Sequence, residues 1–303
     1  MSTAAAAKVS GSRKLYKRRS NAFSERLMQF FFGLAACISI MAVLLICLFL
    51  FVNGIPAIAE IGAAEFILGE RWKPSDTPQS FGIMPMIMGS IYITAGAVII
   101  GVPLGLLTAV YLSRFCPKRL YVLIKPMINL MAGIPSIVYG FFGMIVLVPL
   151  IREIAGGSGN SILTASVLLG IMILPTVVGL SESSMNAVDK SCYEGALALG
   201  ATHERAVFSV IIPAARSGIM SSVILGIGRA IGETMAVIMV AGNQARMPAG
   251  ILKGVRTLTA NIVTEMGYAS DLHYNALIGT GVVLFVFILI LNICFSLLNR
   301  QKG

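Results

Sequence analysis

The chain has 303 residues, of which 57% are hydrophobic and only 12% are charged, and its mean hydropathy is +0.88. Such a composition is too apolar for a soluble domain and is typical of a helical protein with several membrane spans. The net charge of +10 also fits a nucleic-acid partner, but basic residues in membrane proteins more often mark the cytoplasmic loops.

Residue types that carry common chemistry are sparse. The five cysteines lie far apart, and neither they nor His203 and His273 have the spacing of metal ligands. The HExxH, GxSxG and GxxxxGK[ST] patterns do not occur in the sequence. We therefore predict that the chain uses no metal or cofactor and catalyses no reaction, so that any ATP must bind to a partner.

Six apolar runs predict an all-α membrane protein with six transmembrane helices. Their ranges are 30–52, 81–113, 126–151, 162–180, 217–242 and 276–298. A basic segment, 1–26, precedes them and is expected to be a cytoplasmic tail, which leaves 27–303 as the membrane domain. Between the first two runs, Trp72 is expected at the membrane–water interface, where amphipathic rings are enriched.

The distribution of lysine and arginine supports this layout, because cytoplasmic loops collect positive charge. Sixteen of the 23 basic residues lie on the side of the N-terminal tail and six on the other side, with Arg229 in the membrane. Both termini and the polar segment 182–216 are therefore expected in the cytoplasm. The topology alone then explains the charge, and we predict no nucleic-acid partner.

The third run contains a proline between glycines, in the segment from Gly133 to Gly140. This pattern predicts a kinked or broken helix, and transporters line their pathways with interrupted helices. Pro135, Ser136 and Tyr139 are therefore candidates for a hinge or for the pathway. A purely structural bend explains the pattern equally well.

The fifth run carries Arg229 and Glu233 in an otherwise apolar segment. A charged side chain near the centre of a bilayer costs about 2.5 to 3.5 kcal/mol on insertion scales, so such residues usually face a partner or a watery pathway. Their spacing of four places both on one face of a helix, where they can pair or separate to admit a charged solute. The alternative is a buried ion pair that only fixes helix packing.

The polar segment 182–216 has a helical pattern that is interrupted at Gly200, after which Thr202 is placed to cap a second short helix. The segment reads Glu194-Gly195-Ala196, three residues, Gly200, nine residues, and then Val210-Ile211-Ile212-Pro213. This spacing resembles the coupling loop of binding-protein-dependent ABC importer permeases, which reads EAA, three residues, G, nine residues, I-x-L-P. Gly195, Val210 and Ile212 are mild departures from that pattern.

Three further segments indicate which group of ABC importer permeases the chain resembles. They are Trp72-Lys73-Pro74 followed by Phe81-Gly82-Ile83-Met84-Pro85, then Ile134 to Gly140, and then Gly228 to Thr234. From about residue 25 to the end, the chain is similar to phosphate ABC importer permeases, in particular to the C-type subunits of the Pst system. The resemblance implies the type I ABC importer permease fold and a substrate pathway that passes Arg229, Glu233 and Thr234.

The same resemblance implies the partners of the chain in a bacterial plasma membrane. They are a related A-type permease subunit that forms a heterodimer with it, two ATP-binding subunits and an extracytoplasmic phosphate-binding protein, with lipid around the spans. ATP hydrolysis in the partner subunits would drive alternating access. The residues implied to couple the chain to the ATPase are Glu194, Gly195, Ala196, Gly200 and Pro213.

Three alternatives stay open at this point. Importers of other oxyanions, such as sulfate, molybdate or phosphonate, share the coupling loop, and the stretch from Gly228 to Thr234 favours phosphate by resemblance only. A secondary transporter or channel that works alone would not need such a loop. A membrane scaffold for a phosphate-sensing regulator is compatible with transport.

The charge distribution predicts which positions react with a membrane-impermeant thiol reagent in a chain freed of its native cysteines. Cysteines at Ser75 and Gly250 should be labelled from outside intact cells. Cysteines at Lys118 and Glu204 should be labelled only after the membrane is opened. Labelling of the Glu204 position in intact cells would contradict the predicted orientation.

Overall fold

The computed structural model describes residues 22–300, most of which lie in helices. The helices are α1 (Ala22–Ile61), α2 (Ala63–Leu68), α3 (Met84–Val110), α4 (Lys118–Gly133), α5 (Ser136–Phe142), α6 (Val148–Ala155), α7 (Ile162–Asn186), α8 (Lys190–Ala198), α9 (His203–Ala206), α10 (Ile212–Ala214), α11 (Arg216–Gly232), α12 (Met235–Val240), α13 (Leu258–Glu265) and α14 (Asp271–Arg300). Strands β1 (Trp72–Lys73) and β2 (Ser80–Phe81) form an antiparallel hairpin between α2 and α3. The π-helical turns Tyr111–Phe115, Gly143–Leu147 and Val207–Ile211 continue α3, α5 and α9.

Within the described residues, five helical segments are long and apolar enough to cross a membrane. They are Glu25–Ile61, Met84–Phe115, Ser136–Ala155, Ile162–Asn186 and Asp271–Cys294. A sixth crossing results if His203–Ala214 and Arg216–Gly232, which meet at a bend of 68°, form one span. The predicted all-α membrane fold is therefore confirmed, with up to six spans.

Several helix boundaries differ from the predicted ones. The first helix continues to Ile61 instead of ending at residue 52, because the following stretch is still largely apolar and the helix accommodates Pro56. The third span begins at Ser136 instead of residue 126, because the extended backbone at Ile134 and Pro135 ends α4 at Gly133. The predicted tail 1–26 lies outside the described residues, except for 22–26, which begin α1.

Residues 22–49 of α1 form a unit of their own. Nearly every side chain described in this segment is exposed, and the segment is apolar on all its faces. A helix of this kind is stable only where lipid or another protein covers it. Its composition therefore agrees with a membrane span.

The packing of α3 against α7 forms the centre of residues 50–300. A Cβ atom at Gly96 would lie 2.3 Å from the Ser166 hydroxyl oxygen, and one at Gly101 would lie 2.6 Å from the Gly170 carbonyl oxygen. Small residues at such positions let two helix backbones approach closely, which favours helix association in lipid. Buried side chains of α3, α5, α7 and α12 surround this contact and form one core cluster.

Glu182 lies inside α7 and not in the polar segment that was predicted to begin there. Its buried carboxylate accepts a hydrogen bond from the Tyr121 hydroxyl at 2.8 Å and pairs with Lys125 Nζ at 2.6 Å. The pKa of Tyr121 lies above its ordinary value because its hydroxyl donates to this carboxylate. Because a buried charge is tolerated only when it is paired, this contact explains why α7 can continue to Asn186 and ties it to α4.

Trp72 is buried inside the protein, among side chains that the sequence did not indicate, and its position at the membrane–water interface stays a prediction. Its ring packs edge-to-face on Phe81 with centroids 5.8 Å apart, and its Nε1 donates to the Glu265 carboxylate at 2.8 Å. A buried indole needs a partner for its N–H group. The hairpin is therefore joined to α13, far along the chain.

The close approach of α3 and α7 predicts that a single methyl group at Gly101 destabilises the chain. Gly101→Ala places a Cβ atom against the backbone of Gly170, which should cost about 1 to 3 kcal/mol. We expect less folded chain in mild detergent, measured by size exclusion and thermal unfolding. Gly179→Ala is the control, because in residues 22–300 a Cβ atom there would meet nothing within 4 Å beyond its chain neighbours and its own helix backbone. Equal stability of the two variants would contradict this packing.

Candidate functional site

The fifth predicted span, residues 217–242, is interrupted close to Arg229. The helix α11 ends at Gly232, Glu233 has an extended backbone with φ −69° and ψ 130°, and α12 begins at Met235. The prediction that Arg229 and Glu233 share one face of a continuous helix is therefore wrong. Gly232 and the nearby Gly228 lower the helix propensity just before the break.

Arg229 is half-buried and reaches toward α7. Its Nη1 donates to the Thr176 hydroxyl at a long 3.4 Å. In residues 22–300, no acidic side chain lies within 4.0 Å of its guanidinium. Because a guanidinium carries several N–H donors in a planar fork, most of them stay available for an acceptor that is not part of the chain.

The Glu233 carboxylate caps α12. Its Oε1 accepts the N–H groups of Thr234 at 3.1 Å and of Ala236 at 3.2 Å. The Thr234 hydroxyl donates to the Gly232 carbonyl at 3.3 Å. Both side chains therefore satisfy backbone groups that the break has freed, and the negative charge lies at the positive end of a helix.

A second break separates α4 from α5 and confirms the interruption predicted around Pro135. Ser136 begins α5, and Tyr139 lies one turn further on, where only 7% of it is exposed. The Tyr139 hydroxyl donates to the Met131 carbonyl across the break at 2.9 Å. Tyr139 and Ala230, the residue after Arg229, belong to one buried core cluster, so the two breaks lie in the same part of the protein.

The helices that follow the two breaks, α5 and α12, pack directly against each other. A Cβ atom at Gly140 would lie 2.8 Å from Met239 Sδ and 2.9 Å from the Ala236 Cα. This close contact brings the candidate hinge of the third span beside the break that follows Arg229. The sequence could not predict this neighbourhood, because the two segments are far apart along the chain.

Sequence reasoning missed α13, which lies beside the break at Glu233 and between the predicted spans 217–242 and 276–298. At its beginning, the Thr259 hydroxyl donates to the Glu233 carbonyl at 3.1 Å. At its end, the buried Glu265 carboxylate accepts hydrogen bonds from Trp72, Arg256 and His273. The available signal was the pair of charged residues Arg256 and Glu265 at the two ends of a stretch, 256–265, that is otherwise uncharged.

The predicted coupling loop folds into two short helices that meet at Gly200. Gly200 has φ +84°, a left-handed conformation that favours glycine. Its N–H donates to the Leu197 carbonyl at 2.9 Å, and the N–H of Ala201 donates to the Ala196 carbonyl at 3.1 Å. These two bonds form a Schellman motif, so the predicted interruption of the helix is confirmed.

Both short helices begin at a capped residue. The Asp189 carboxylate accepts the Ser191 N–H at 2.8 Å at the start of α8, and this bond holds the pKa of Asp189 below its ordinary value. The Thr202 hydroxyl accepts the Arg205 N–H at 3.3 Å at the start of α9, as predicted. The loop therefore has a defined shape set by its own sequence.

Tyr193 attaches α8 to the ends of the long helices. Its hydroxyl is hydrogen-bonded to His203 Nδ1 at 2.7 Å, and its ring centroid lies 5.9 Å from Arg114 Cζ. Arg114 belongs to the π-helical turn after α3, and its Nη2 donates to the Met185 carbonyl of α7 at 2.5 Å. Glu194, Gly195, Gly200 and Pro213 are exposed, while Ala196 is half-buried.

Solved structures with a similar fold are membrane transporters. The structure of a bacterial alginate ABC transporter, in complex with a periplasmic protein that holds an alginate pentasaccharide, aligns with a TM-score of 0.65 at 11% identity, over 92% of this chain and 97% of that chain. An inward-facing MetNI methionine ABC transporter aligns with a TM-score of 0.58 at 20% identity, over 73% of this chain and 96% of that chain. These likenesses concern the fold, and they confirm the type I ABC importer permease architecture.

Curated relatives are similar over most of the chain. A probable ABC transporter permease protein of Bacillus subtilis, YqgH, is 38% identical and covers 88% of both chains. The phosphate transport system permease protein PstC of Mesorhizobium japonicum is 34% identical and covers 83% of both chains. Residues 101–301 match the family described as "Binding-protein-dependent transport system inner membrane component". The chain therefore belongs to the family of binding-protein-dependent transport system inner membrane components and is a multi-pass membrane protein.

Proposed function

We propose that the chain is a permease subunit of an ATP-driven importer of inorganic phosphate and forms half of the translocation pathway. The observation that carries the proposal is the similarity, over most of the chain, to relatives named as phosphate transport permeases. The half-buried guanidinium of Arg229, which has no acidic partner in residues 22–300, supports an anionic substrate. The chain itself would perform no chemistry.

Arg229 is the proposed anion-binding residue of the pathway. Phosphate carries roughly one to two negative charges at neutral pH. A guanidinium can contact two of its oxygens at once, whereas a lysine offers only a point charge. Since the only hydrogen bond of Arg229 within residues 22–300 is the long one to Thr176, little has to be broken there when an anion binds.

Glu233 and Thr234 border the proposed pathway, and their first role is to stabilise the break. The two backbone hydrogen bonds of the Glu233 carboxylate keep it away from Arg229, which leaves that cation open to the substrate. Pro135, Ser136 and Tyr139 form the proposed hinge. The Tyr139 hydroxyl spans the second break, and Tyr139 shares a buried core cluster with Ala230, the residue after Arg229. Movement at either break would change the surroundings of the cation.

The proposed assembly follows from the family. A related A-type permease subunit would complete the pathway, two ATP-binding subunits would contact the coupling loop, and an extracytoplasmic binding protein would deliver phosphate. Both termini and the coupling loop would then lie in the cytoplasm of a bacterium. The exposed Glu194, Gly195 and Gly200, together with Leu199, which is 91% exposed, provide a surface for the ATPase.

The proposed function predicts that uptake depends on the guanidinium of Arg229. In cells that lack the native chain, the wild type should restore uptake of labelled phosphate, and excess sulfate, molybdate or phosphonate should not compete. Arg229→Gln should reduce uptake to background while the amount of chain in the membrane changes little. Arg229→Lys should keep partial uptake, because it keeps the charge without the planar fork.

Glu233 variants distinguish a pathway cation from a structural ion pair. Glu233→Gln keeps an oxygen that can cap α12, whereas Glu233→Ala removes the cap and should cost about 0.5 to 2 kcal/mol of stability. The amount of membrane-inserted chain should therefore fall for Glu233→Ala more than for Glu233→Gln. Restored uptake in the Arg229→Gln/Glu233→Gln double variant would support a structural pair and contradict the pathway role.

The coupling loop predicts a separate phenotype for Gly200. Gly200→Val forces a β-branched residue into a left-handed conformation, although its Cβ atom would meet nothing within 4 Å in residues 22–300 beyond its chain neighbours. Co-purification of the ATP-binding subunit and phosphate uptake should both fail while the chain still inserts in the membrane. Gly200→Asn is the control, because asparagine tolerates this conformation and should retain more of both activities. Full activity of Gly200→Val would contradict a coupling role.

A further inference from the structure

The short helix α12 is held at both ends by groups connected to α13. At its beginning, the Thr259 hydroxyl donates to the Glu233 carbonyl at 3.1 Å. At its end, the Asn243 amide donates to the Ile238 carbonyl at 2.8 Å, and Arg256 Nε donates to the Asn243 carbonyl at 3.1 Å. Arg256 also pairs with Glu265, the last residue of α13. Both ends of α12, the helix that follows the break at Glu233, are therefore held by α13 or by residues connected to it.

The Glu265 carboxylate anchors the far end of α13 in the protein. It is 5% exposed and accepts hydrogen bonds from Trp72 Nε1 at 2.8 Å and from His273 Nε2 at 2.9 Å, in addition to its ion pair with Arg256. These donors belong to the hairpin, to the beginning of α14 and to the segment before α13. A buried carboxylate with this many donors fixes the position of its helix.

Thr259 favours the interrupted form of the fifth span. A continuous helix would use the Glu233 carbonyl to accept an N–H group from the next turn. In this structure, that carbonyl accepts a hydrogen bond from the hydroxyl of Thr259 instead. The Thr259 residue as a whole is 7% exposed. Because Glu265 lies six positions further along the same helix, an anchor at one end of α13 restrains the contact at the other end over about 9 Å.

We propose that Thr259 and Glu265 are positioning residues for the proposed anion site. Neither side chain has to touch the substrate: Thr259 holds the peptide at Glu233, and Glu265 holds the helix that carries Thr259. Together they keep α11 from continuing into α12 and so keep Glu233 away from Arg229. The inference rests on the proposed function where phosphate uptake is measured. A second measurement, of thiol labelling at the break, tests the structural part without reference to the substrate.

Two threonines of α13 provide a matched test. Thr259→Val removes the hydroxyl that reaches Glu233 and keeps the shape of the side chain. Thr264→Val removes a hydroxyl that donates only to carbonyls of its own helix, at Ala260 and Asn261. Thr259→Ser keeps the hydroxyl and should rescue the defect. Phosphate uptake per inserted chain should fall about three- to ten-fold for Thr259→Val and stay unchanged for Thr264→Val and Thr259→Ser.

The second readout is independent of the substrate. In a chain whose five native cysteines are replaced, a cysteine at the exposed Gly232 reports the geometry of the break through its rate of thiol labelling. Thr259→Val should change this rate about three-fold or more, and Thr264→Val should leave it unchanged. The same labelling rate in both variants would overturn the proposal, even if phosphate is not the substrate. Failure of the wild type to take up phosphate would contradict the proposed function and leave the labelling test intact.

A double variant tests whether Glu265 acts through α13. Glu265→Gln should impair uptake per inserted chain. In the double variant with Thr259→Val, the fold-loss of uptake should be much smaller than the product of the fold-losses of the two single variants, because both residues hold the same contact. Multiplicative losses would show that the two residues act separately and would overturn the shared positioning role. A reduced amount of chain with normal uptake per chain would assign a merely structural role to both residues.

Discussion

Backbone groups that lose their helical partners in an apolar environment need other partners, and this constraint shapes the region around Arg229. The break at Glu233 frees N–H groups at the beginning of α12, and the Glu233 carboxylate accepts two of them. The freed carbonyl accepts the Thr259 hydroxyl. A cap of this kind contributes about 0.5 to 2 kcal/mol, so a few named side chains suffice to hold the interruption. The same bonds remove Glu233 from Arg229 and leave the cation unpaired in the described chain.

The features that the sequence predicted correctly are those that local patterns determine. Long apolar runs predicted the crossing helices, because a helix of about 20 residues spans a bilayer. Pro135 predicted a break because proline lacks an N–H and restricts the residue before it. Gly200 and Thr202 predicted the shape of the segment proposed as the coupling loop, since a left-handed C′ position and an N-cap depend on neighbouring residues only. The spacing around Gly200 also led to the correct family.

The features that were missed depend on partners far along the chain. Glu182 was assigned to a polar loop, yet a buried ion pair with Lys125 allows it to lie within α7. The burial of Trp72 was not predicted, because its partner, Glu265, is 193 positions away. The pairing of Arg229 with Glu233 assumed a continuous helix. Whether α11 continues or breaks is decided by groups such as Thr259, whose contact with Glu233 no local pattern indicates.

The unpaired state of Arg229 has a consequence for the proposed transport. A cation that is held firmly by a carboxylate would have to break a strong ion pair before it could bind an anion, and a free, fully exposed cation would be screened by water. Arg229 lies between these limits, because it is half-buried and, within residues 22–300, makes one long hydrogen bond to Thr176. The Glu233 carboxylate stays nearby in the sequence, with its charge offset by the start of α12. Such a site can attract an anion and still release it, and a pathway needs both properties because a solute must leave the site as well as enter it.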